Sequence, residues 1–209
     1  MPSLPRLIVA TRNSHKSLEI RTMLAGRFEV LDVTAFPGLP AIEESGSTFL
    51  ANALLKAVGI SRLVDGWVLA DDSGLEVDAL GGAPGVWSSS FGGEEGNHAK
   101  NNARLLADMS GQFARAARFR CTMVLAKDGV AQADFCGTVE GRLTEAQHGV
   151  EGFGYDPLFI PDGYNQTFAE LGHATKNLLS HRARALAQAV SWLESHVETV
   201  TMPEGHVEN

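Results

Sequence analysis

The segment Trp67-Val68-Leu69-Ala70-Asp71-Asp72-Ser73-Gly74 carries an apolar run straight into two adjacent carboxylates and then Ser-Gly. This is the pattern of a buried strand that ends in a polar turn. Open α/β sheets place their ligand crevices at such strand ends. A carboxylate held there can bind a metal or take a proton from water. The plainer alternative is a turn in which Asp and Ser hydrogen-bond their own backbone. These residues alone do not choose between the two.

Upstream, Arg6 to Thr11 reads as another buried strand, followed by a helix capped by Asn13 or Ser14, running to about Ala25 and closed by Gly26. Phe28 to Val33 predicts a second strand, and residues 34–46, with Pro37, Gly38 and Pro40, are irregular. Ser47 or Thr48 then caps a helix whose apolar positions Leu50, Ala53, Leu54, Ala57 and Ile60 recur at helical spacing.

Downstream, the glycine-rich stretch GGAPGVWSSSFGGEEG (81–96) is either a linker or, given Trp87 and Phe91, an ordered covering loop. Asn97 can cap a helix from His98 to Met109. Residues 117–140 read as a hairpin. A two-residue Asp128-Gly129 turn would set Cys121 opposite Cys136 but mismatch the apolar faces. A three-residue Lys127-Asp128-Gly129 loop with a bulge at Gly129 matches them and predicts two free thiols on opposite faces. After the Gly/aromatic segment Glu151 to Pro161, Ser180 caps a last helix with Ala183, Leu186, Ala187, Val190 and Leu193 on one face. With no repeat and no clear linker, the chain reads as one α/β domain over residues 1–197 with lobes around a cleft, and a frayed tail over 198–209.

Composition limits the function classes. The 209 residues are 44% apolar and 20% charged, enough for a core without disulfide staples. No apolar run reaches the roughly 18 residues a membrane helix needs. The opening MPSLPRLIVATRN has no secretory pattern, which predicts a cytoplasmic protein with no membrane partner. A net charge of −8 disfavours nucleic acid as a partner. An anionic ligand must therefore be captured by locally placed cations.

Two helix starts supply such cations. Acidic residues are favoured at a helix N-terminus, yet the first helix has Arg12, His15 and Lys16 there, and the last has Lys176, His181 and Arg182. An anion bound by backbone N–H groups at each start accounts for both; solvated basic tips are the alternative. The turn Thr11-Arg12-Asn13-Ser14-His15-Lys16 is not a Walker loop, since GxxxxGK[ST] is absent. Glu43-Glu44 matters only if the fold brings the pair to Asp71-Asp72, where acids from separate loops could hold Mg²⁺. Lys56, on the second helix, reads as a surface lysine, with its direction left ambiguous by its spacing from Leu54 and Ala57. Phe153-Gly154-Tyr155-Asp156 offers two aromatics that either stack on a base or fill the core.

Six segments taken in order resemble the Ham1/inosine triphosphatase family of noncanonical purine nucleoside triphosphate pyrophosphatases. They are ATRNSHKSLE (10–19), EESGSTFLANALLKA (43–57), ADDSGLEVDALGGAPGVWS (70–88), NNARLL (101–106), EGFGYDP (151–157) and KNLLSHRARAL (176–186). The resemblance runs from about Leu7 to about Leu193. It implies a mixed central sheet flanked by helices, two lobes around a cleft, a homodimer and a Mg²⁺-dependent reaction. That reaction hydrolyses ITP, dITP or XTP to the monophosphate and pyrophosphate, cleansing the nucleotide pool.

Carried over residue by residue, the resemblance implies that Asp72 is the catalytic base and a metal-linked carboxylate. Glu43 is the other metal-associated acid, with Glu44 a lesser candidate. Thr11, Arg12, Asn13, Ser14, His15 and Lys16 form the phosphate-binding turn; Lys56 faces the phosphates and Ser73 contacts substrate. Phe153, Gly154, Tyr155, Asp156, Lys176, His181 and Arg182 form the nucleobase pocket. Glu151 and Arg12 stand where the family often has glycine. Two competing readings are a Maf-like pyrophosphatase acting on pyrimidine or modified nucleotides and a nucleotide sensor without turnover.

Overall fold

The computed structural model describes residues 4–196, so the expected tail lies outside the described residues. Strand β1 (Arg6–Val9) pairs in parallel with β2 (Glu29–Asp32) and with β3 (Trp67–Val77). β3 then pairs antiparallel with β4 (Ala116–Lys127), β4 with β5 (Val130–Leu143), and β5 with β6 (Phe159–Pro161). The order β2-β1-β3-β4-β5-β6 makes one mixed six-stranded sheet, the α/β architecture expected.

Three apolar clusters fix the helices on it. α1 (Ser14–Met23) and α5 (His181–His196) cover one face through Ile20, Ala185, Ala189 and Leu193 against Leu7, Leu69 and Met123. α2 (Phe49–Ser61) covers the other, with Ala53, Ala57 and Ile60 on Ile8, Val68 and Ala70. The distal half of β3 and β4 carries Leu75 and Phe119, which pack with Phe159 of β6, Leu105 of α3 (His98–Asp108) and Phe168 of α4 (Phe168–Leu179). Each buried side chain of this size contributes about 1.5–3 kcal/mol.

Four details differ from the sequence expectations. β3 does not end at Asp71. It continues through Asp71↔Met123, Asp72↔Thr122 and Ser73↔Cys121, because the unbroken strand β4 offers hydrogen-bond partners all the way to Val77. The hairpin turn is the two-residue Asp128-Gly129 form, with φ of 52° and 77° and Lys127 opposite Val130. A bulge beyond it, where Ala126 faces Ala131 but Leu125 faces Ala133, restores the apolar match. Cys121 and Cys136 are accordingly free, one buried and one exposed; burial pushes the Cys121 thiol up to about 12. On α5 the buried face is Arg182, Ala185, Leu186, Ala189, Val190 and Leu193, and Ala187 is exposed. On α2, Leu50 is likewise exposed, while Asn52 and Lys56 point inward.

α4 has no counterpart in the sequence reading. It is capped by a Thr167/Glu170 capping box and broken at Gly172, where φ is 77°. That left-handed residue interrupts the periodicity that would reveal the helix.

Candidate active site

A cavity of about 490 Å³ opens between the two halves of the molecule, within the range of about 300–1,000 Å³ usual for small-molecule sites. Its walls come from the β1–α1 turn, the loop before α2, the middle of β3 and the start of α5.

On one wall, Asn13 caps α1 by accepting from the backbone N–H groups of His15 (3.0 Å) and Lys16 (3.2 Å). This orients the turn so that Thr11, Arg12, Asn13 and Lys16 line the cavity, while Ser14 and His15 lie outside its lining. The Arg12 guanidinium donates to the Leu39 carbonyl at 2.7 Å. Lys16 Nζ lies 3.0 Å from Asp71 Oδ2.

On the next wall, Asn52 and Lys56 project from α2 one turn apart. Asn52 donates to Asp72 Oδ2 at 3.1 Å and accepts from Gly46 N at 2.8 Å, which pins the preceding loop. Lys56 Nζ donates to Glu44 Oε2 (2.6 Å) and the Asp71 carbonyl (2.7 Å), and sits 3.8 Å from Asp72 Oδ1. Glu44 therefore lines the cavity and Glu43 does not. Of the two acids expected near the metal, the structure brings the lesser candidate, Glu44, to the cavity and leaves Glu43 off its lining, because successive residues of the loop point different ways.

The electrostatics separate the two aspartates. Burial pushes the Asp71 carboxyl up, but Lys16, Arg182 and Lys56 together hold it well below the usual carboxylate range. Burial raises Asp72, and Lys56 and Lys16 offset this only in part, so Asp72 stays above its ordinary value. Burial would lower the Lys56 ammonium, yet Asp71, Asp72 and Glu44 outweigh it and keep Lys56 charged. Ser73 N donates to Asp72 Oδ1 at 3.0 Å, so the local backbone bond of the plainer reading also exists, inside a strand instead of a turn.

The far wall carries the residues expected to form a base pocket. Phe153, Gly154, Tyr155, Asp156, Lys176, His181 and Arg182 all line the cavity. Asp156 Oδ2 accepts from Phe153 N (2.8 Å) and Lys176 Nζ (2.6 Å), which fixes the loop. Tyr155 is buried and donates to the Ser88 carbonyl at 2.9 Å, so Phe153 is the half-buried ring facing the cavity. Gly137 lets α5 approach: a Cβ there would lie 2.0 Å from the His181 carbonyl oxygen. His181 stacks on Phe119 with centroids 4.8 Å apart, and its Nδ1 has no partner. Burial, with Arg182 and Lys176 beside it, lowers its pKa well below the ordinary value, so the ring is neutral.

Arg182 is 1% exposed and committed to an ion network with Glu19, Asp71 (3.2 Å) and Ser73 Oγ (2.9 Å). Lys176 joins it through Glu19 at 2.8 Å. Sequence reasoning missed Glu19 and Asn52. Each had a signal: Glu19 sits one turn after Lys16, and Asn52 is a polar residue one turn before Lys56 beside an apolar stripe.

A mixed α/β sheet whose cleft sets a carboxylate of raised pKa beside Lys56, with Lys16 at a helix N-terminus, has the chemistry of a hydrolase for phosphorylated substrates. The chain belongs to the Ham1 family, whose pattern matches residues 7–192. It is 43% identical over 190 residues to a dITP/XTP pyrophosphatase of Shouchella clausii, covering 90% of this chain and 96% of that protein. It is 46% identical over 182 residues to a dITP/XTP pyrophosphatase of an Exiguobacterium species, covering 87% and 93% respectively. Among solved structures, a HAM1 protein from Coxiella burnetii matches with a TM-score of 0.82 at 34% identity over 92% of this chain and all of that one. The Staphylococcus aureus Ham1 protein matches with a TM-score of 0.81 at 32% identity, covering 91% and 98%.

Proposed function

We infer that this enzyme hydrolyses noncanonical purine nucleoside triphosphates, dITP, ITP and XTP, to the monophosphate and pyrophosphate. The observation that carries the reading is the meeting of Asp72, Glu44, Lys56 and Lys16 around one cavity that ends in an aromatic and polar base pocket. The relatives' dITP/XTP pyrophosphatase activity favours purines over the pyrimidine or modified substrates of the Maf-like alternative.

Mg²⁺ is the proposed metal. Among the described residues no three Asp, Glu, His or Cys side chains group into a metal site. Glu44 and Asp72, drawn together around the Lys56 ammonium, nevertheless supply two oxygen donors suited to an ion that keeps waters and binds phosphates. When bound, Mg²⁺ would neutralise phosphate charge and polarise the scissile bond.

The chain's own residues perform the remaining steps. Asp72 accepts a proton from the water that attacks the α-phosphorus; a raised pKa makes it the better base. Lys16 and Lys56 balance charge developing on the phosphates, the largest lever available in a water-poor site. Pyrophosphate leaves, and no covalent intermediate forms. Neutral His181 can donate to a 6-oxo group, where adenine would present an amino group and leave a buried donor unpaired at about 1–3 kcal/mol.

The resemblance supports a homodimer. No helix among the described residues is long and apolar enough to cross a membrane, and that together with the two free thiols supports a cytoplasmic location. The test is pyrophosphate release from dITP, XTP, dATP, dGTP and dTTP with Mg²⁺. The reading expects dITP and XTP to lead. Preferential turnover of dTTP would replace it with the pyrimidine reading, and binding without pyrophosphate release would leave a sensor.

A further inference from the structure

Asn101 and Asn102 are adjacent on α3 and both are buried, at 1% and 3% exposed. Neither lines the cavity. Consecutive helical residues project about 100° apart, and these two side chains reach different loops. Asn101 accepts from Gly92 N at 2.7 Å and donates to the Ser89 carbonyl at 2.9 Å. Asn102 donates to the Gly154 carbonyl at 3.0 Å and to Gln147 Oε1 at 3.3 Å.

Both loops line the cavity, one through Ser88, Ser89 and Ser90, the other through Phe153 to Asp156. Tyr155 joins them by donating to the Ser88 carbonyl at 2.9 Å. Residues 88–92 and 151–156 lie outside the strands of the sheet, so bonds of this kind set their shape. Gly152 and Gly154 flank Phe153 with φ of 78° and 64°. Glycine enters that region about as readily as the right-handed one, so backbone preference does not fix the second loop. The first loop packs directly on α3: a Cβ on Gly92 would lie 2.5 Å from the Lys100 carbonyl carbon.

We propose that Asn101 and Asn102 are positioning residues for base binding: from one turn of α3 they hold the two loops at the spacing that admits a purine, which rests on the reading of that end of the cavity as the base pocket. A loop released from its asparagine visits other conformations, and apparent affinity falls by the fraction of enzyme left in the competent one. The phosphate end is built from the β1–α1 turn, β3 and α2. Loss of either asparagine therefore weakens the part of binding that depends on the base and spares the rest.

The test measures the dissociation constants of IMP, a product that is not turned over, and of ribose 5-phosphate, which has the same phosphate and sugar but no base. Asn101→Ala and Asn102→Ala are each expected to weaken IMP about three- to tenfold, the range that one hydrogen bond supports, with ribose 5-phosphate unaffected. Asn102→Asp keeps the side-chain volume and removes the donor, and is expected to lose at least as much, which separates the lost bond from the space left by truncation. With dITP, the loss appears in KM and spares kcat. A purely structural role would lower the urea midpoint and keep the ratio of the two constants at its wild-type value. That result, or an equal loss for both ligands, overturns the proposal. The wild-type enzyme separates the two claims. If it binds IMP no more tightly than ribose 5-phosphate, the base-pocket reading fails; if it prefers IMP and the variants keep that preference, only the role of the asparagines fails.

Discussion

Asp71 and Asp72 are adjacent on β3 and carry their carboxylates to opposite sides of the sheet. Asp71 meets Lys16 at 3.0 Å and Arg182 at 3.2 Å, whereas Asp72 meets Asn52 at 3.1 Å and Lys56 at 3.8 Å. The two-residue period of a strand separates the two side chains. Asp71 is the counter-ion that joins α1 to α5; Asp72 is the proposed base. Asp72→Asn keeps the shape and the Asn52 contact and removes the basicity, so kcat for dITP is expected to fall by about 10²-fold or more with nucleotide binding retained. Kinetics near wild type would take Asp72 out of the mechanism.

The raised pKa of Asp72 sets an acid limb. The base works ionised, so kcat/KM is full above that pKa and is lost as pH falls through it. Lys56 is the strongest charge opposing the upward push of burial. Lys56→Met is therefore expected to move the acid limb to higher pH and to raise KM for the triphosphate. A limb that stays in place, or moves to lower pH, would separate Lys56 from Asp72.

Glu44 and Glu43 are neighbours in sequence but not in position. Only Glu44 lines the cavity and reaches Lys56, at 2.6 Å. Glu44→Gln is expected to raise the Mg²⁺ concentration for half-maximal activity by about tenfold, a loss of roughly 1.4 kcal/mol, and Glu43→Gln to leave it near wild type. A Mg²⁺ titration of both variants checks this, and the reverse order would return the metal-associated role to Glu43.

Arg182 lies between two buried acids, so its removal acts on stability before selectivity. Arg182→Met leaves Glu19 and Asp71 with uncompensated charge, and urea unfolding is expected to show a loss of about 3–5 kcal/mol. A loss below about 1 kcal/mol, on the scale of an exposed pair, would show that the network relaxes without it.

The local elements were legible in the sequence where chemistry repeats at a fixed period: the β1–α1 turn with its Asn13 cap, the α2 stripe, and the matched hairpin faces that separate Cys121 from Cys136. What was hidden depends on partners. The Asp71-Asp72 pair looks like a turn until β4 supplies its ladder. Arg182 reads as a free donor until Glu19 and Asp71 claim it. Glu43 and Glu44 cannot be ordered until Lys56 chooses one, and Gly172 breaks the helical period that would have announced α4.

Hydrolysis in ¹⁸O-labelled water tests the central claim most directly, because attack by an Asp72-activated water on the α-phosphorus puts the new oxygen on the nucleotide. Mass spectrometry of the products from dITP is predicted to find the label in the monophosphate and none in the pyrophosphate. Label in the pyrophosphate, or release of single phosphates, would contradict the account.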